Sequence, residues 1–194
     1  MLRRKRCRSG FGFARTPKLT EWGIEVHRGM GTTGVVGVLK SGTSDRAIGL
    51  RADMDALPLQ EENHFPHRSQ HDGRMHACGH DIHMSNMIGT ARYLAANKDR
   101  WRGTVMFIGQ PAEEKGGGAQ AMLADGLFKR FKKPDMALAL HCDSTLPTGK
   151  IGFRAGYALA NVDSVDITLK GKGGHGAYPH TTIDPVVMAA HLIL

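Results

Sequence analysis

The sequence has little cysteine: Cys7, Cys78 and Cys142 are its three, with no CxxC pairing. That argues against a disulfide framework and fits a reducing, cytoplasmic setting. Long apolar runs are missing as well. No stretch approaches the ~20 residues that a membrane span needs. The basic N-terminus has no apolar segment behind it, so no secretory signal is expected either. Internal repeats and low-complexity tracts are absent, which sets aside solenoids and arrays. Acids are missing from residues 1–18, where seven Lys and Arg gather: Arg3, Arg4, Lys5, Arg6, Arg8, Arg15 and Lys18. The formal net charge of +8 therefore belongs mostly to that tail, and the rest is close to neutral. A disordered basic tail is expected, and nucleic acid is not expected as a partner.

What is present suits a soluble globular chain. Its 194 residues suffice for one ordinary domain, or one domain and part of another. "GVVGVL" (34–39), "AIGLRA" (47–52), "TVMFIG" (104–109) and "MALALH" (136–141) read as strands. They are short and apolar without clean alternation, as strands buried on both faces are. Between them, residues 81–98 read as a helix with Asp81 as its N-cap. Met84, Met87, Ile88, Ala91 and Leu94 form its apolar stripe. Residues 117–128 read as a second helix. The alternation predicts an α/β fold, a largely parallel sheet flanked by helices. Near residue 157 the pattern changes. Residues 161–174 alternate polar and apolar, as a half-exposed strand does. Residues 181–194 then open an apolar helix, with Asp184 as N-cap and Pro185 at its first position. The chain stops inside that helix without a polar last turn, so a fragment of a longer protein is expected.

Ionisable groups gather where the strands end. One strand runs into Asp53 and Asp55, another into Glu113 and Glu114, and a third ends on His141. In open α/β sheets ligands bind beyond the carboxyl ends of the strands. In a parallel sheet these groups would share an edge with "MHACGHD" (75–81), which carries Cys78 and His80. Each feature also has a plainer reading. An acidic pair is usually a solvated face, Asp-x-Asp can cap a turn, and a strand-end histidine is often a hydrogen-bonded core residue. Six of the eleven histidines fall between residues 64 and 83, and His64, His67 and His71 lie in a polar loop as surface residues. Cys, His and carboxylate together suit a divalent transition metal, zinc first, with cobalt and manganese also suitable. A nucleophilic Cys78 at a helix N-terminus is a further reading. It leaves the Glu113–Glu114 pair without a task, whereas a metal hydrolase uses every group.

"GLRADMDALPLQE", "MHACGHDIH", "QPAEEKGGGAQAMLADGLF", "ALHC" and "GKGGHGAYPHTTIDPVV" occur in this order. Together they resemble the M20 metallopeptidases over roughly residues 20 to 194. The branch they resemble is the amidohydrolases of N-acyl amino acids, which includes the hippurate hydrolases. The resemblance implies a site for two divalent ions (zinc, manganese or cobalt), with Cys78, His80, Glu114 and His141 as ligands. It implies Glu113 as general base and His175 as a donor to the tetrahedral oxyanion. Asp53, Asp55 and Asp81 would stand behind the ligands and orient them. The substrate implied is a small N-acyl amino acid. The domain organisation implied is a tail over 1–18, a catalytic domain over 19–157, and the start of a smaller α+β lid over 158–194. A homodimer through that lid is implied for the complete protein.

Two departures from the family pattern stand out. The chain stops early in the lid, before the family's last histidine ligand. Before "WGIEVH" (22–27) it also lacks the acidic stretch that members carry. A metal-dependent amidohydrolase is therefore weighed against an inactive, truncated remnant that binds metal weakly or is unstable. A cysteine hydrolase stands third.

Overall fold

The computed structural model describes residues 17–194, so the expected basic tail lies outside them apart from Pro17 and Lys18. These two residues open a short helix, α1 (Pro17–Glu21), whose Leu19 is buried. The described chain forms two compact units, one ending at Thr145 and one spanning Leu146–Leu194.

The first unit is built on five strands: β1 (Glu25–Met30), β2 (Gly34–Ser41), β3 (Ala47–Asp53), β4 (Gly103–Gln110) and β5 (Met136–Ala139). Their order in the sheet is β1-β2-β4-β3-β5. The sheet is mixed. It is antiparallel where β1 and β2 join it, and parallel across β4, β3 and β5. The helix α2 (His80–Ala96) connects β3 to β4. Two short helices, α3 (Gly118–Ala124) and α4 (Leu127–Arg130), connect β4 to β5. The helical segment expected over 117–128 is thus broken in two, because Gly126 adopts a left-handed φ of 85° between the halves.

Side chains alternate between the two faces of the sheet, and both faces are covered. Val35, Leu39, Val105 and Phe107 point to one side and pack with Leu19, Ile24, Met84, Met87 and Ala91. Val36, Met106 and Ile108 point to the other and pack with Met30, Met122 and Leu127. A strand buried on both sides needs apolar residues at every position, and that is how β2 and β4 read. The apolar stripe of α2 meets the first face as its spacing predicts, with Ile88 and Leu94 at the margin. β5 differs: all four of its residues are exposed, with Met136 53% and Leu138 58% accessible.

Two local expectations are corrected. Asp81 does not cap α2. The cap is Gly79 in the left-handed region, and Asp81 lies exposed in the first helical turn. Residues 161–174 do not form a strand. Their only pairing among the described residues is the isolated bridge Lys172–Ile183, so alternation has no partner strand to act on. In the second unit the helix α5 (Pro185–Ile193) starts as its sequence predicts, with Asp184 Oδ1 accepting from the Val186 N–H at 2.8 Å.

Candidate metal centre

The parallel register brings the strand ends level, with Asp53 opposite Gln110 and Arg51 opposite Ala139. Every charged group that follows β3, β4 and β5 therefore emerges at one edge. The N-terminus of α2 arrives at the same edge, carrying Cys78 and His80. Gly79 makes the approach possible. Its φ is 77°, and a Cβ there would stand 2.2 Å from Cys142 Sγ. The turn after β4 is as tightly made. Ala112 takes a positive φ of 49°, and a Cβ on Gly118 would fall 1.4 Å from the Pro111 carbonyl oxygen. A left-handed alanine is a sparsely populated conformation that surrounding structure must hold. Here it turns Glu113 and Glu114 back over the strand ends.

His80 is the centre of the cluster and is fully buried. Its Nδ1 lies 3.0 Å from the Asp55 carbonyl oxygen, which can only accept, so Nδ1 carries the proton. The lone pair of Nε2 then faces three carboxylate oxygens: Asp53 Oδ2 at 3.6 Å, Glu113 Oε2 at 3.7 Å and Glu114 Oε1 at 3.8 Å. Among the described residues no donor reaches Nε2; it and Asp55 Oδ1 are buried side-chain atoms without a hydrogen-bond partner there. A buried nitrogen lone pair surrounded by anionic oxygens is unfavourable unless a cation sits between them. Nearby, Cys78 Sγ lies 3.4 Å from His141 Nε2. Donor atoms of Cys78, His80 and His141 all lie within 4.8 Å of one another, as do those of His80, Glu113 and Glu114. A divalent ion with bonds of about 2.0–2.3 Å leaves its ligand atoms spaced on this scale. The donor set therefore fits a bound metal on chemistry and on spacing.

Charges around the cluster agree. Burial of the Cys78 thiol, then the carboxylates of Glu114, Glu113 and Asp53, push its pKa up to about 11. A thiol so placed is held protonated by anions, the opposite of an activated nucleophile. That weighs against a cysteine hydrolase. Burial alone would raise the Asp53 carboxyl, but the His83 hydrogen bond and the Arg51 charge oppose it, and the carboxyl is held below its ordinary value.

Of the residues singled out in the sequence, Asp53, Asp55, Cys78, His80, Glu113, Glu114 and His141 meet at this edge. Asp53 and Asp55 are 1% and 6% exposed and lie against the His80 ring. Asp81 is exposed in the first turn of α2 and is not among the clustered donor groups. His175 belongs to the second unit, where its Nδ1 accepts from the Ala177 N–H at 3.1 Å and its ring meets Tyr178. Sequence reasoning gives no role to His83 and Arg51, which both bind Asp53. The signal for His83 is its spacing: residues three apart on a helix share a face, so His83 must follow His80 inward.

The chain is similar to known proteins along most of its length. It is 46% identical to hippurate hydrolase of Campylobacter jejuni over 180 residues, which is 91% of this chain and 45% of the relative. It is 48% identical to N-acetyldiaminopimelate deacetylase of Priestia megaterium over 148 residues, 76% of this chain and 39% of that protein. The chain thus spans less than half the length of these curated relatives. Among solved structures it resembles a dinuclear metal-binding peptidase of the M20 family from Bacillus subtilis. The TM-score is 0.63 at 39% identity, covering 71% of this chain and 39% of that one. Residues 49–192 match peptidase family M20/M25/M40, and the chain belongs to that family.

Proposed function

We propose that the protein is a metal-dependent amidohydrolase that cleaves the amide bond of small N-acyl amino acids, hippurate-like compounds among them. The observation that carries this reading is the bare Nε2 of buried His80, facing Asp53, Glu113 and Glu114 with no donor among the described residues in reach. Cys78, His80, Glu114 and His141 are the groups that would hold two divalent ions, zinc, manganese or cobalt. Bound there, the ions would supply Lewis acidity, activating water and polarising the amide carbonyl.

The remaining steps fall to the chain's own side chains. Glu113 is the carboxylate left over once Glu114 is a ligand. It takes the proton of the attacking water and passes it to the leaving amine, so that an acid and a free amino acid depart. His175 would offer a hydrogen-bond donor where negative charge develops on the carbonyl oxygen. Asp53 and Asp55 orient His80 and the turn that bears the glutamates. The relatives' names, hydrolysis of hippurate and deacetylation of N-acetyldiaminopimelate, support an N-acyl amino acid as substrate. Pairing of two copies through residues 158–194 and residence in the cytoplasm belong to the same proposal. Two of the three cysteines, Cys78 and Cys142, are free thiols, and no described helix is long and apolar enough to cross a membrane.

A second reading, a remnant that binds metal without turnover, draws on the exposed apolar residues of β5. The deciding experiment is amino-acid release from hippurate and N-acetyl amino acids by the purified chain, with zinc, manganese or cobalt added and a chelator as control. Metal-dependent release carries the amidohydrolase reading. A folded, metal-loaded chain that releases nothing carries the remnant reading.

A further inference from the structure

We infer that His83 is a positioning residue: it clamps the peptide that carries His141 and so aims the His141 imidazole at Cys78. The inference rests on His141 being a metal ligand, as proposed above. His83 sits in α2 and is 2% exposed. Its Nε2 accepts the backbone N–H of Cys142 at 2.9 Å. A backbone N–H can only donate, so Nε2 carries no proton and Nδ1 must. Nδ1 accordingly donates to Asp53 Oδ1 at 2.6 Å. Both ring nitrogens are thereby used. The ring lies only 4.5 Å from that of His141, centroid to centroid, yet it has no lone pair left for an ion.

The clamp matters because the sheet stops short of His141. The β5 ladder ends at the Arg51–Ala139 pair, two residues before it. Beyond that point the backbone of Cys142 is gripped on both sides of its Cα. Its N–H is taken by His83, and its carbonyl oxygen accepts from His141 Nδ1 at 2.7 Å. With Nδ1 donating there, His141 turns its unprotonated Nε2 toward Cys78 Sγ. Fixing the Cys142 peptide therefore fixes both the tautomer and the direction of His141. The clamp is itself anchored. Asp53 Oδ2 accepts from Arg51 Nη1 at 2.7 Å, and Arg51 Nε donates to Gln110 Oε1 at 2.9 Å. One continuous chain of hydrogen bonds thus runs from β4 through β3 and α2 to the exit of β5.

The test uses the full chain and zinc alone. In the unsubstituted protein, long-range nitrogen–proton spectra of the His83 ring should show the Nδ1–H tautomer, and the Cys142 amide should be protected from hydrogen exchange. His83→Gln sets one donor and one acceptor side by side, as the imidazole does. His83→Asn can reach Asp53 but is too short for the Cys142 N–H. In chelator competition, His83→Asn should lose zinc affinity by about 10–100-fold, the range typical of groups that orient ligands, and His83→Gln should recover most of it. An Nε2–H tautomer, or equal zinc affinity in the two variants, overturns the inference. Should the variants fail to fold, tautomer and amide protection in the unsubstituted chain decide it. None of these readouts needs a substrate. A failed hydrolysis assay leaves the inference standing, and its own failure leaves the amidohydrolase reading intact.

Discussion

The backbone N–H of Glu114 donates to Asp55 Oδ2 over 3.1 Å, tying the turn after β4 to the loop after β3. The carbonyl oxygen of Asp55 accepts from His80 Nδ1. Asp55 therefore sets two of the proposed ligands at once, one through its side chain and one through its backbone. Replacing it with alanine removes the side-chain half. Asp55→Ala is expected to weaken metal binding by about 10–100-fold in chelator competition. Asp55→Asn can still accept from the Glu114 N–H and should lose less.

Glu113 and Glu114 are neighbours with different proposed tasks, and substitution separates them. Glu113→Gln keeps the shape and should keep metal bound, while turnover falls by about 100-fold to 10,000-fold, the usual weight of a general base. Glu114→Gln should lose metal as well. Metal content by elemental analysis beside kcat distinguishes the two, and a Glu113→Gln variant with unchanged kcat would sink the assignment of the base.

Metal binding should release protons. With no ion bound, the Cys78 thiol, its pKa pushed up to about 11 by burial and the nearby carboxylates, is protonated at neutral pH. A metal ligand must be a thiolate, so each binding event at neutral pH expels that proton. Affinity should therefore rise with pH, by up to about tenfold per unit from this group, and flatten only as pH passes the thiol's own pKa. Titration calorimetry in buffers of different ionisation enthalpy counts the protons. Cys78→Ser should remove this part of the dependence along with much of the affinity.

Two glycines should answer alanine in opposite ways. Gly118→Ala drives a Cβ into the Pro111 carbonyl, which is backbone and cannot swing aside. It should cost about 3 kcal/mol or more and disturb the glutamate turn. Gly89 lies within α2, and a Cβ added there would meet nothing within 4 Å. Gly89→Ala should stabilise by about 0.5–1 kcal/mol. Thermal or denaturant unfolding of both variants checks the pair.

The metal cluster is more legible in the sequence than its surroundings. Asp53, Glu113, Glu114 and His141 can be placed at one edge because each ends or follows a short apolar run that reads as a strand, and a parallel register aligns strand ends. β1 gives no such signal: Glu25–Met30 has only Met30 buried, so its apolar pattern is thin. Asp81 suggests a cap by residue type alone. The chain instead uses Gly79, because Cys142 Sγ occupies the space a side chain would need. The 161–174 segment misleads for another reason. Alternation says which face a strand would bury, but a strand forms only if a partner offers its ladder. The role of His83 stays hidden because it lies in a backbone amide far along the chain, which no local pattern reveals.

The order of the strands has a consequence for how the protein is born. β3 lies between β4 and β5, yet precedes both in the chain. On the ribosome it emerges with neither parallel neighbour made. It can pair on one edge only after α2 and β4 have followed, and on the other only after β5. Asp53, Asp55, Cys78 and His80 are thus synthesised well before His141 exists to complete the cluster. The groups at this edge can therefore come together only once β5 has joined the sheet.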